Sequence, residues 1–505
     1  VEKRIKLPAE ELVKAIADCE GLVVRSETKV TAELMDAAKS LRVIGRAGVG
    51  VDNIDVAAAT ARGIVVMNAP DGNTITTAEH TIALLVALAR RVPQANSSLK
   101  SGKWERKNFI GTELQGKTLG IIGLGRIGRV VAKRAGALGM NVVAFDPFVL
   151  ADSARDQEIN LQPMDEVLAR ADFLTIHTPL TAETRGLIGS DAFARMKNGV
   201  RVINCARGGL IDEAALYQAI KSGKVAGAAL DVFESEPPPA DQPLLQLDEV
   251  IVTPHLGAST TEAQEGVALT VAEQMRDFLL TGALRGVVNL PAIDQKVLGT
   301  LQPYLSLAES LGRFHAQLAS SAIRQVRLEF AGELVDIDAA PVTRAFLAGM
   351  LRGVSARVNA VNAFLIAEER GIAVTTAYVR DASVASAIRT SVNFGGAEQT
   401  ASGSVFTTAE GYREGRFTRI NGFRIEAIPH GFMLVMHNRD VPGVIGRVGT
   451  ILGDAGINIS AFHLGRRERG GEAMAVIEID GRLDNETIAT LRNSDGILTA
   501  QQIEL

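Results

Sequence analysis

Cysteine is nearly absent from this chain: of 505 residues only Cys19 and Cys205 carry thiols, and no CxxC pair occurs. That excludes a disulfide scaffold and a cysteine-built zinc or iron–sulfur site, and it suits a reducing compartment. Aromatic residues are scarce, with one Trp, four Tyr and seventeen Phe, too few for a base-stacking platform. Basic excess is missing as well, because 53 Lys and Arg face 58 Asp and Glu for a net charge of −5. A nucleic-acid partner calls for the opposite sign. Long apolar runs are lacking; the longest, Ile82–Ala89, is far too short to cross a bilayer. Neither nucleic acid nor membrane is therefore expected as a partner, no metal site is expected, and the expected location is cytoplasmic. The opening VEKRIKLPAEELVKAI reads as an amphipathic helix and not as a secretory signal. The chain does not begin with Met, which leaves open whether native residues precede Val1.

What is present is an ordinary globular composition, 47% hydrophobic and 22% charged, with length for several domains at about 150 residues each. From Gly21 to about Val288, short β-branched runs alternate with helical patterns. Examples are Leu22–Val24, Val43-Ile44, Ile64–Val66, Leu119–Ile122, Val142–Phe145, Phe173–Ile176, Val200–Ile203 and Val250–Val252. Asp212–Ser222 reads as a helix with Asp212 as its N-cap and Gly223 as its stop. Such alternation builds parallel sheets with helices on both faces. NLPAIDQK, starting at Asn289, lacks periodicity and marks a boundary. Beyond it helices are expected over Thr300–Leu318 and Val342–Arg370, with strands at Gln325–Phe330, Ser404–Thr408, Arg416–Ile420 and Phe423–Ile428. Gly431–Leu505 has the order strand, Pro-Gly turn, helix, strand, strand, helix, strand, a ferredoxin-like βαββαβ unit.

The strongest local signal is Gly120-Ile-Ile-Gly123-Leu-Gly125-Arg126-Ile127-Gly128, a strand running through GxGxxG into a helix. Gly123 permits the tight turn, Gly125 lets backbone approach a pyrophosphate, and Gly128 lets helix and strand pack closely. The helix N-terminus then offers unpaired N–H groups to the anion. By itself GxGxxG is also what a plain glycine turn looks like. Here, however, Asp146 follows at the end of the next strand, where a carboxylate can accept from the adenosine ribose hydroxyls. Beside it a 2′-phosphate would be repelled, by roughly 1 kcal/mol in water-like surroundings and about 4 at an effective dielectric of 20. The expected cofactor is NAD and not NADP.

A dinucleotide does not name a reaction. Of seven histidines, only His255 follows a β-run in a loop of small residues, Thr253-Pro-His255-Leu-Gly257-Ala258-Ser-Thr260. Asn204-Cys205-Ala206-Arg207 and Leu230-Asp231-Val-Phe-Glu-Ser-Glu236-Pro237 also follow strands, and carboxyl ends of parallel strands face the ligand crevice. Singly, each has a plain alternative: a helix cap for His255, a solvated acid for Glu236, an internal ion pair for Arg207.

Together these motifs, spanning Gly21 to Val288, resemble the D-isomer-specific 2-hydroxyacid dehydrogenases. The resemblance implies catalysis by Arg207, Glu236 and His255. Histidine can carry a proton either way near neutrality, a carboxylate can orient it, and Arg can grip a substrate carboxylate. It further implies cofactor contacts from Gly123, Gly125, Arg126, Ile127, Gly128, Asp146, Thr178, Cys205, Ala206, Arg207, Asp231, His255, Gly257 and Ala258. His177 is expected to line the same cleft, and Cys205 to be a small strand-end residue, not a reactive thiol.

Substrate choice rests on Val24-Arg25-Ser26 and Gly45-Arg46-Ala-Gly48-Val-Gly50-Val-Asp52, which resemble the family's substrate loops. Substrate contacts are expected from Arg25, Ser26, Arg46, Gly48, Arg207 and His255. Cations at Arg25 and Arg46 suit a phosphate plus a carboxylate, as in the phosphoglycerate branch; Glu27 stands where some members have a second Arg. Lys103-Trp104-Glu-Arg106-Lys107 resembles that branch too, where the Trp packs into a neighbouring subunit and a basic residue, here Arg106, reaches that subunit's substrate. The C-terminal HNRDVPG and GINIS stretches resemble an ACT domain, with Asn438, Asp440 and Asn458 as candidate contacts for an amino-acid effector. The alternative for these three is turn and cap polar groups in a plain dimerisation module. Residues Val297–His430 resemble the intervening domain of the long enzymes of that branch, and Arg413, Arg416, Arg419 and Arg424 there read first as a solvated basic sheet edge, the alternative being a regulatory site for an anion or substrate.

The resemblance thus implies an α/β chain with four parts. A Rossmann-type NAD domain (80–263) is inserted in a flavodoxin-like substrate domain (1–79 and 264–292), followed by an α+β intervening domain (293–430) and an ACT domain (431–505). It implies 3-phosphoglycerate as substrate, L-serine as effector, and a homo-oligomer built as a dimer of dimers (homotetramer). A glyoxylate/hydroxypyruvate reductase is the nearest enzymatic alternative, and a dinucleotide-sensing protein without turnover the nearest of another class.

Overall fold

Strand-forming residues gather into four sheets in the computed structural model, which describes residues 2–4, 7–150, 159–291, 295–355, 357–380 and 387–505. The first sheet is parallel, with β1 (Gly21–Val24), β2 (Val43–Arg46) and β3 (Val65–Asn68) in sequential order. These are three strands, where a full flavodoxin-like sheet has five. The chain returns to this sheet late: Val267, Val271 and Met275 of the helix Thr261–Thr281 share a core with Val43, Val65 and Met67.

The second sheet holds β4 (Thr118–Ile122), β5 (Asn141–Phe145), β6 (Asn160–Leu161), β7 (Phe173–Ile176), β8 (Val200–Asn204), β9 (Val225–Leu230) and β10 (Val250–Val252). Their order is β10-β9-β8-β7-β4-β5-β6, parallel throughout. All four residues of β7 are buried, as a strand covered on both faces requires. Strand order reverses on either side of β4, so the crevice for a ligand opens at the carboxyl ends of β4 and β7. Two helices join the first two sheets, Thr74–Arg90 and Thr261–Thr281. The expected boundaries at 79/80 and 263/264 fall inside them, so continuous helices connect the lobes. The third expected boundary, at 292/293, lies outside the described residues.

The third sheet has the order β12-β11-β13-β14-β15-β16, from β11 (Ile323–Ala331), β12 (Ala373–Val379), β13 (Ala387–Phe394), β14 (Ala397–Thr407), β15 (Arg413–Ile420) and β16 (Phe423–Ala427). The helices Gln295–Leu318 and Ala340–Leu351 bury Tyr304, Phe314 and Phe346 against it. One expected helix, Val342–Arg370, is in fact two, the second being Ala363–Glu369. The break carries Gly353, and the Asn359 and Asn362 side chains accept from the Val361 and Asn359 amides, each at 2.9 Å. Such local bonds compete with helix.

The last sheet, β17 (Phe432–Arg439), β18 (Ile459–Arg466), β19 (Glu472–Ile479) and β20 (Ile497–Glu504), runs β18-β19-β17-β20. Its helices Val444–Asp454 and Asn485–Asn493 cover one face through Leu434, Met436, Ala475 and Ile477. The other face is buried too: Met433, Val435, Met474, Val476 and Ile503 join the core of the preceding domain. No described helix is long and apolar enough to cross a membrane.

Candidate active site

The glycine turn has the geometry a dinucleotide needs. Gly123 has φ +93°, and a Cβ there would collide with the His177 carbonyl. A Cβ on Gly128 would strike the Gly123 carbonyl, so any larger residue would push the helix Arg126–Ala137 off β4. Around Gly125, by contrast, space is open, and no side chain caps the helix there. Its first amides are left for an anion. Asp146 is fixed beside the turn, its carboxylate accepting from the amides of Leu124 (2.7 Å) and Phe148 (2.9 Å). The Thr178 hydroxyl is buried without a partner next to Gly123. An open cradle, an acid and an orphaned hydroxyl fit NAD.

A cleft of about 570 Å³ lies between the first two sheets. It gathers Arg126, Ile127, Thr178, Cys205, Ala206, Arg207, His255, Gly257 and Ala258, with Gly50, Asp52 and His177. The His255 Nδ1 lies 2.7 Å from Glu236 Oε2, and both side chains are partly exposed. Burial alone would raise the Glu236 carboxyl, but the bond to His255 and that neighbour's charge outweigh it and hold it low. His255 itself has φ +55°, a left-handed conformation costing a side-chain-bearing residue about 1–2 kcal/mol. Its amide donates to the Asp231 carbonyl (2.9 Å). Arg207 points into the cleft with Nε 3.2 Å from Asp52 Oδ2. Asn204 secures its backbone, donating to the Arg207 carbonyl and accepting from Ala206 N.

Three arginines crowd the substrate side. Burial, then the charges of Arg207 and Arg25, push the Arg46 pKa down, and Asp52 opposes them. Guanidinium stays protonated regardless, so the crowding is stored repulsion that an anionic substrate would relieve. The Arg46 Nε is buried and unpaired. Arg25 reaches Gln264 across the chain's return (3.3 Å), and Ser26 beside it is exposed. Gly48, at φ +151°, leaves room that only the Arg46 guanidinium fills.

Several expected contacts sit elsewhere. Asp231 is fully buried and does not line this cleft; its carboxylate accepts from Thr253, Leu256 N and Gly257 N. In this structure it organises the loop bearing His255. Trp104 (77% exposed) and Arg106 stand on an exposed segment and line no part of the cleft. Burial drives the Cys205 thiol up to about 12, which keeps it inert. Burial takes His177 down to about 4, which favours its neutral form near neutral pH. Asp52 was legible in its loop motif, whereas the contact of His80 with Asp231 has no local sequence signature.

At the C-terminus the three effector candidates separate. Asn438 is buried with an unpartnered Oδ1. Asp440 accepts from Arg466 (3.0 Å) and Gly470 N (3.1 Å), and these bonds, the amide first, lower its pKa. Asn458 donates to Asp480. Since Arg439 pairs with Glu472 and Phe432 with Ile479, those ends of the sheet lie about 24 Å apart at ~3.4 Å per residue. One chain does not bring the three together.

Family models match along the chain: the D-isomer specific 2-hydroxyacid dehydrogenase NAD binding domain over 82–257, the D-3-phosphoglycerate dehydrogenase intervening domain over 300–421, and the ACT domain over 432–496. The D-3-phosphoglycerate dehydrogenase of Archaeoglobus fulgidus is 46% identical, covering 100% of this chain and 96% of its own. That of Bacillus subtilis is 44% identical over 97% and 94%. The chain belongs to the D-3-phosphoglycerate dehydrogenase family. Its membership brings the NAD-binding domain of the 2-hydroxyacid dehydrogenases. Among solved structures, the D-lactate dehydrogenase of Aquifex aeolicus, complexed with NAD and lactic acid, is 30% identical with a TM-score of 0.51. It covers 57% of this chain and 90% of its own. A glyoxylate reductase from Paecilomyes thermophila is 36% identical with a TM-score of 0.51, covering 55% and 87%.

Proposed function

We propose that this chain oxidises D-3-phosphoglycerate to 3-phosphohydroxypyruvate with NAD, the first step of L-serine biosynthesis. The observation that carries the reading is that His255, paired with Glu236 at 2.7 Å, lines the same cleft as Arg207. Arg207 binds the substrate carboxylate and draws density from C2 as it becomes a carbonyl. His255 takes the hydroxyl proton at Nε2, because Nδ1 faces Glu236. The Glu236 carboxylate, held ionised, stabilises the imidazolium that results. Bound NAD supplies the acceptor for the hydride from C2. Arg46 and Arg25 take the phosphate.

A reductase for unphosphorylated acids would have no use for those two cations. The glyoxylate reductase neighbour covers only 55% of the chain, which leaves the C-terminal domains without a role. We read those domains as regulatory, with serine bound at Asn438, Asp440 and Asn458. Because those residues lie at opposite ends of one sheet, such a site needs a second copy of the chain. Initial rates with 3-phosphoglycerate and with D-glycerate, each with and without serine, test the reading. Strong preference for the phosphorylated acid and inhibition by serine are expected; equal rates on both acids would sink it.

A further inference from the structure

The helix Thr74–Arg90 links the substrate and nucleotide lobes, and one of its faces grips the loop that carries His255. Thr77 donates to the Gly257 carbonyl (2.8 Å), and Thr76 meets the Thr260 hydroxyl at 3.3 Å. One turn on, His80 Nε2 lies 3.1 Å from Asp231 Oδ1 and 3.3 Å from the Thr253 hydroxyl. Thr253 donates to that same oxygen at 2.6 Å, and Leu256 N at 2.7 Å. Gly257 N donates to the other carboxylate oxygen at 2.8 Å. The carboxylate is fully enclosed, so each donor matters: a buried charge that loses one is left uncompensated.

We propose that His80 is a positioning residue for the reaction, acting through Asp231 to hold the Thr253–Gly257 loop and so the imidazole of His255. The loop needs such a hold. His255 occupies a left-handed backbone conformation that persists only when its surroundings over-determine it. The Asp231 residue supplies the fixing bonds from both ends, its carbonyl accepting from His255 N and its carboxylate from the two amides that follow. His80 anchors this arrangement to a helix that belongs to both lobes. Seating of the substrate lobe is thereby transmitted to the proton acceptor, although His80 does not line the cleft.

The inference rests on the reading of His255 as the base, and wild-type turnover of 3-phosphoglycerate tests that separately. With active wild type in hand, His80→Leu is compared with His80→Gln, which keeps a side-chain N–H donor. A fall in kcat of about 10- to 100-fold is expected for His80→Leu, with KM and the Kd for NADH changed less than about threefold. His80→Gln should recover most of the rate. The pH profile of kcat/KM should shift in His80→Leu, because the His255–Glu236 contact is disturbed, and return in His80→Gln. If His80→Leu gives no folded enzyme, Thr253→Val removes another donor from the same oxygen and should show the same split. Unchanged kcat, or loss confined to KM and thermal midpoint with an unmoved pH profile, overturns the proposal.

Discussion

The catalytic cleft and the C-terminal sheet meet the same demand, gathering distant polar residues, in opposite ways. Between the first two sheets, Asp52, Arg207 and His255 come from different loops and line one cleft within one chain. In the last sheet, Asp440 and Asn458 are nearer in sequence yet lie at opposite ends of the sheet, one after β17 and the other before β18. A parallel sheet puts every strand's carboxyl end on one side, so loops many residues apart converge. In the last sheet β17 and β18 both run antiparallel to β19, and the helix Val444–Asp454 carries the chain back across the sheet between them, so the residue after β17 and the residue before β18 lie at opposite ends. Asp52, Arg207 and His255 therefore meet inside a single chain here, while effector binding as read above requires two.

Substitutions can break that contrast, beginning with the largest effect. Converting His255 to Ala should lower kcat by about a thousandfold and leave NADH binding, followed by fluorescence titration, nearly unchanged. Loss of NADH binding would mean that the imidazole is part of the cofactor site instead. Acid should weaken the second and third sheets, through His177 just after β7 and His315 on the helix Gln295–Leu318 that packs against the third. His315 is fully buried between Gln399 and Thr390, and burial lowers it from 6.5 to about 4. Between those values the unfolded chain binds a proton that the folded one does not. Stability is thus fully present above pH 6.5 and falls toward pH 4 by roughly 3 kcal/mol per histidine. Thermal melts across that range should show it, and His315→Gln should flatten the slope.

Arg46→Gln removes one charged contact to the phosphate and should raise KM for 3-phosphoglycerate by about 10- to 100-fold. Activity toward D-glycerate should be spared, which sharpens the assignment of the phosphate end. Smallest is Asp440→Asn: the serine concentration for half-inhibition should rise by about tenfold, near the worth of one charge-assisted bond. A serine response unaltered by that change would point to a dimerisation module alone.

Much of the catalytic half could be read before any coordinates, because its signals are local. The glycine turn, Asp146, Arg207, Glu236 and His255 each follow a strand within a few residues, and β-branched runs mark most of those strands. β9 was harder to see: VAGAAL has one β-branched residue and is a strand because β8 and β10 flank it. In the third sheet β12 and β13 mix Thr, Ser, Arg and Asn with apolar residues; burial alternates along β13, but Thr390 fills one of its buried places, so hydrophobicity does not announce the strand. The His80–Asp231 contact joins positions far apart through burial and geometry, which no periodicity encodes.

The last sheet shares its rear face with the third. Met433, Met474, Val476 and Ile503 sit in one core with Phe417 and Ile425. Excising the final module at residue 431 would bare both halves of that core to water, inviting aggregation. Anyone transplanting this regulator onto another enzyme should carry both sheets as a single cassette, cut ahead of the helix Gln295–Leu318.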